Sequence, residues 1–133
     1  MKATLISLLM IICCLVTSAQ SSNSTNRQTP DQCQIGNYQL FPTTNMWTFL
    51  KLDTRNGRIW QVQFDINGDN RMEVDLSTVK RNSDGKETQG RFTLYPTQNM
   101  YNFILLDKET GTTWQVQWSI EFLNRIVIPI QAK

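Results

Sequence analysis

From residue 35 onward, apolar and polar side chains alternate in short runs. Trp60, Val62 and Phe64 stand at every second position with Gln61 and Gln63 between them, and Trp114, Val116 and Trp118 do the same around Gln115 and Gln117. A period of two marks strands with one face buried. No stretch of this part of the chain carries a convincing helical period. The pattern predicts four strands at 38–41, 47–52, 58–64 and 71–76, and four more at 92–95, 101–106, 112–118 and 125–130. Pro42 and Pro96 stop the first strand of each set, because proline has no N–H for the ladder. Asp53 to Gly57 and Asp107 to Gly111 predict hairpin turns with a bulge. Each has an Asp that can bond nearby backbone N–H groups, then a Gly free to take positive φ. Residues 77–89 are polar and join the two sets.

The two sets are copies of one another. Gly36 to Leu76 aligns without a gap on Gly90 to Ile130, each residue 54 positions on. Pro42-Thr43, Asn45-Met46, Phe49, Leu52-Asp53, Gly57, Trp60-Gln61-Val62-Gln63 and Asn70-Arg71 all recur. A gapless match that includes paired tryptophans is the signature of duplication. The expected fold is all-β: two tandem four-stranded antiparallel repeats, 36–76 and 90–130. They are expected to pack through their Trp/Val faces as a pseudo-twofold sandwich or barrel-like domain. The alternative is two blade-like sheets side by side that need self-association. In the second strand either face suits burial, because Leu50 and Leu52 alternate with Trp47 and Phe49.

The N-terminus reads differently. Met1-Lys2, the apolar run 3–16 and the small residues Thr17-Ser18-Ala19 describe a secretory signal peptide, residues 1–19, cut after Ala19. Residues 20–34 are polar and read as a flexible tether. The β-domain occupies 35–133. Cys13 and Cys14 leave with the signal, so Cys33 has no partner in the chain for a disulfide. The exported product is expected to be secreted, or to lie in the periplasm or cell envelope, without membrane insertion after cleavage.

Charge and composition narrow the functions. The chain has 13 Lys+Arg against 11 Asp+Glu, and losing Lys2 with the signal brings the balance nearer to neutrality. No basic block stands out, which disfavours nucleic acid and anionic membranes as partners. The chain has no His, the commonest general base and metal ligand. No catalytic residue, metal site or cofactor is expected. Asp65 to Glu73 has oxygen ligands spaced like the start of a calcium loop, but Gly68 comes two places early and Leu76 stands where the bidentate acid belongs. A plain turn is the better account.

The remaining chemistry lies on the strand face opposite the tryptophans. Gln61, Gln63, Gln115 and Gln117 there offer amide donors and acceptors. Trp47, Phe49, Tyr101 and Phe103 are the candidate aromatic surface beside them. Stacking and hydrogen bonding together suit a sugar or a peptide. The expected function is therefore a non-catalytic binding module for a glycan or protein ligand. The alternative is a structural or self-assembling envelope component, a homo-oligomer.

Phe-x-x-Leu-Asp-x-x-x-Gly-x-x-Trp, at 49–60 and again at 103–114, resembles the hairpin of quinoprotein-type β-propeller blades. The chain also looks like small exported bacterial proteins of the Bacteroidetes type that carry such hairpins without an assigned activity. The resemblance implies blade-like sheets. It spans about twelve residues per unit, and two units fall short of the roughly four blades a propeller needs.

Overall fold

The computed structural model describes residues 36–133. The expected signal peptide and tether, and Cys33, fall outside those residues. Eight strands follow in order: β1 Tyr38–Pro42, β2 Thr48–Asp53, β3 Ile59–Gln63, β4 Met72–Ser77, β5 Phe92–Pro96, β6 Asn102–Asp107, β7 Thr113–Gln117 and β8 Ile126–Ile130. They form two four-stranded antiparallel meanders, β1-β2-β3-β4 and β5-β6-β7-β8. The fold is all-β, the two sheets stack as a sandwich, and they do not close into a barrel. A 3-10 turn, Phe122–Asn124, precedes β8.

The hairpin chemistry is as expected. Gly57 has φ +78 and Gly111 φ +76. The carbonyl of Asp53 accepts from Gly57 N–H at 2.9 Å and that of Asp107 from Gly111 N–H at 2.8 Å. Each Asp carboxylate also accepts from the backbone N–H two residues on, at 3.1 Å from Arg55 and 3.0 Å from Glu109.

The two sheets meet through different faces. In the first sheet Leu50, Leu52, Ile59 and Leu76 are buried, and in the second Phe92, Leu94, Phe103, Leu105, Val116 and Trp118 are. Register places Leu50 opposite Gln61 and Leu52 opposite Ile59, on the glutamine side of β3. Phe103 lies opposite Val116 and Leu105 opposite Trp114, on the tryptophan side of β7. The Trp/Val face is thus the core face of the second sheet only. In the first sheet that face looks outward, with Phe64 40% exposed where its counterpart Trp118 is 1% exposed. This corrects the expectation that both tryptophan faces meet. The sheets stack front to back, so the two copies bury opposite sides. Either choice of face in the second strand is therefore realised, once in each copy.

The stack is fixed at the β2–β3 turn. Thr54 is buried; its hydroxyl donates to Gly36 O at 2.8 Å and accepts from Gly90 N–H at 3.1 Å, while its carbonyl accepts from Phe92 N–H at 2.8 Å. The joining segment is largely exposed, but Asn82 is buried and Arg81 ties the segment to the first sheet. Arg81 N–H donates to Asn56 O at 2.8 Å, and the Arg81 guanidinium donates to Gly57 O at 3.0 Å and lies 5.9 Å from the Trp114 ring.

Candidate functional site

The outer face of the first sheet is built from β1 to β4 at alternate positions. Cross-strand register sets Leu40, Lys51, Trp60 and Asp75 in one row across it, with Pro42, Phe49, Val62 and Glu73 in the next. Tyr38 stands at one end, 51% exposed. Its ring meets Trp60 edge-on, 6.1 Å between centroids. Phe64 gathers the other end, 5.3 Å from Trp47 and 6.2 Å from Phe49.

Cations hold these rings in place. Lys51 Nζ lies 4.7 Å from the Trp60 ring and 5.7 Å from Tyr38. The Arg58 guanidinium is 5.4 Å from Trp60 and that of Arg55 is 5.7 Å from Tyr38. A cation on an indole or phenol face contributes about 0.5–1 kcal/mol at exposed sites. Lys51 also pairs with Glu73 across two strands. Arg55 is anchored on Asp53 by two bonds, Nε to Oδ1 at 3.0 Å and Nη2 to Oδ2 at 2.9 Å. Burial pushes the Asp53 carboxyl up, but the Arg55 guanidinium and backbone N–H outweigh it and hold the group below the usual carboxylate range. The face thus carries aromatic rings, fixed cations and two exposed carboxylates, Glu73 and Asp75, in one layer. An open groove of about 510 Å³ wraps the β4 edge, lined by Trp60, Glu73, Val74 and Asp75 and by Phe122 and Arg125 of the turn before β8.

The residues singled out from the sequence are dispersed. Gln61 is 0% exposed, between the sheets, and Phe103 is 2% exposed in the core. Neither offers a surface. Gln63 shares the inward face of Gln61 and is half-buried. Gln115 and Gln117 lie on the outer face of the second sheet, where Gln115 Nε2 donates to Asn102 Oδ1 at 2.9 Å and Gln117 Nε2 to Asn124 O at 3.0 Å. Trp47 and Phe49 belong with Phe64 on the outer face of the first sheet, away from Gln61. Tyr101 is half-exposed and rests on Trp118 at 5.3 Å. The glutamines and the aromatics therefore do not share one surface. Sequence reasoning passed over Tyr38, Lys51, Glu73 and Asp75. Their signal was available: Lys51, Glu73 and Asp75 stand where the second copy has Leu105, Val127 and Pro129.

The calcium-like loop is closed on itself. Asp65 Oδ1 accepts from Asn67 N–H at 3.2 Å and Oδ2 from Asn70 Nδ2 at 2.8 Å. Among the described residues no group of three Cys, Asp or Glu side chains is placed to hold a metal ion. No family model, curated protein or solved structure matches the chain.

Proposed function

We propose that this chain is an exported, non-catalytic binding module whose ligand face is the outer face of the first sheet. One observation carries the reading. Tyr38, Trp60 and Phe64 occupy the positions where the second sheet has Phe92, Trp114 and Trp118 in or against the core, yet Tyr38 is 51% and Phe64 40% exposed, Trp60 is half-buried, and no sheet among the described residues lies over that face. Aromatic rings left outward, steadied by Lys51 and Arg58 and bordered by carboxylates, form a surface suited to a partner. Tyr, Trp and Arg together are the residue types that dominate binding energy at protein interfaces. That composition favours a protein ligand over a glycan, although stacking rings beside carboxylates would serve a sugar as well.

The test is a screen of the purified protein against a panel of cell-surface proteins and a glycan array. The Tyr38→Ala, Trp60→Ala double variant should weaken any hit at least tenfold and leave the thermal midpoint within a few degrees. A ligand that the double variant binds as tightly as the parent would place the site elsewhere.

A further inference from the structure

The outer face of the second sheet repeats much of the face that the first sheet buries, with Thr113 in place of Ile59. Ile104 stands for Leu50, Leu106 for Leu52, Ile128 for Val74 and Ile130 for Leu76. In the first sheet these positions are covered by the second sheet. In the second sheet no other sheet among the described residues covers them. Ile126, Ile128 and Ile130 are 36%, 47% and 47% exposed. The outward positions of β5 to β8 carry no charged side chain; they are apolar, Thr, Asn or Gln. Ile126, Ile128 and Ile130 form an exposed apolar row, set off from Ile104 and Leu106 by Thr113, Gln115 and Gln117 of β7, and exposed apolar surface on an uncharged face marks a contact.

We propose that this face is a homodimer surface, packed on the same face of a second copy across a twofold axis. The internal contact shows that such a face packs on another four-stranded sheet, there through that sheet's tryptophan side. Three candidates for that sheet can be compared. Head-to-tail stacking would lay the first sheet's outer face on it, burying Lys51, Glu73 and Asp75 against a surface with no charge to answer them. Burying ions without new partners is strongly unfavourable. The docking hook is missing too: Thr54, which receives Gly90 and Phe92, is replaced in the second copy by exposed Lys108. Edge pairing along β8 is blunted by Pro129, which has no N–H to give. Self-pairing of the second sheet's outer face buries no charge and needs no hook. Residues 20–34 of the chain, almost wholly polar, lack the apolar side chains to cover it instead.

A twofold contact closes after one pair. The dimer would stack four sheets, with the charged faces of the two first sheets at its ends. The ligand faces proposed above would then point away from each other, but the dimer does not depend on that reading. The face measures about 300 Å² in projection, from four five-residue strands, which fits a reversible rather than an obligate pair.

Sedimentation velocity and equilibrium runs of the purified protein, from low micromolar to about 1 mM, test this directly. The expected result is a monomer–dimer equilibrium that levels off at two copies. Ile128→Lys puts a charge on a half-exposed position at the centre of the β8 face, once per subunit, and should weaken the dimer about a hundredfold or more with an unchanged circular dichroism spectrum. If that variant fails to fold, Tyr95→Glu, on the opposite edge of the same face and 52% exposed, makes the same test. Lys51→Glu on the first sheet should leave the dimer intact. A monomer at every concentration overturns the proposal. So does an open-ended series of oligomers, or a dimer that tolerates Ile128→Lys and Tyr95→Glu.

Discussion

Trp60 and Trp114 hold the same place in the two sheets and face opposite surroundings. Trp60 lies opposite Lys51 and Trp114 opposite Leu105. Trp114 packs against the core, 6.3 Å from Phe92, while Trp60 shares the outer face with Tyr38 and Lys51. The cross-strand neighbour separates the two environments. A Leu at that position can be dry on both sides; a Lys needs water or a carboxylate, and Lys51 finds Glu73 at the rim. Duplication therefore conserved the hairpin and diverged at the contacts that decide which face is covered.

Gln61 is the misfit of the interior. It is fully buried, and neither Nε2 nor Oε1 has a hydrogen-bond partner among the described residues. An unmade bond on a buried amide costs about 1–3 kcal/mol. Met has nearly the same length and no amide to satisfy. Gln61→Met is expected to raise stability by about 1 kcal/mol, a shift of about 4–8 °C in the thermal midpoint for a domain of this size. A midpoint that falls would mean the amide is satisfied in solution, by water or by a rearranged neighbour.

Much of this architecture is legible in the sequence. The eight strands follow from period-two alternation and from the prolines and turn residues that bound them, and every observed strand end lies within one residue of its expected place. The turns follow from Asp and Gly. What alternation cannot give is the choice between faces, because both sides of β2 are apolar. That choice is a tertiary matter: it depends on which face the next sheet meets, and front-to-back stacking answers it oppositely for the two copies. For the same reason the glutamine face could not be recognised as half interior. The charged positions that distinguish the copies, Lys51, Glu73 and Asp75, are legible as places where the two repeats differ.

The two bulged turns permit a controlled comparison. Gly57 and Gly111 have nearly equal positive φ, but a Cβ on Gly57 would meet the Phe92 ring at 3.1 Å and Arg81 Cβ at 3.3 Å, while one on Gly111 meets nothing within 4 Å. Gly111→Ala bears the backbone strain alone, about 1–2 kcal/mol. Gly57→Ala adds the displacement of a buried ring at the inter-sheet contact and is expected to cost about 1–3 kcal/mol more. Urea denaturation of both variants measures the difference. Equal losses would show that Phe92 yields freely, and that the turn is not a packing element.

Acid should unfold the domain through its buried carboxylates. Arg91 and Asp107 form a fully buried pair, with Nε to Oδ1 at 3.0 Å and Nη2 to Oδ2 at 2.8 Å, and Asp84 accepts from Arg91 Nη1 at 2.7 Å. Burial pushes the Asp107 carboxyl up, but Arg91 and the N–H groups of Glu109 and Thr110 outweigh it and hold the group low. A carboxyl lowered on folding adds stability that is complete above its unfolded value, about 3.9, and is lost as pH falls through the lower folded value. Asp53 contributes in the same direction. Thermal midpoints should therefore fall below about pH 4. Asp107→Asn should cost about 3 kcal/mol at neutral pH, by leaving Arg91 short of its main partner, and flatten the acid limb. An unchanged acid limb in that variant would remove Asp107 as its cause.

If charge is what keeps the outer face of the first sheet from repeating the internal contact, removing the charge should release it. Lys51→Leu with Glu73→Val restores the residue types found at Leu105 and Val127, next to the aromatic row already in place. Each change removes an ion from the face and adds apolar surface, about 1.5–3 kcal/mol of favourable burial when covered. The face would then offer the second sheet's outer surface of another copy a match close to the one inside the chain. A contact between two different faces does not close on itself, so growth continues past two copies. Light scattering of the double variant should show species larger than a dimer, increasing with concentration, while the parent shows none. A size distribution identical to the parent's would mean that the missing Thr54 hook at Lys108, or Asp75 still charged on the face, limits the stack. Growth on adding Lys108→Thr in the same background would assign the limit to the hook.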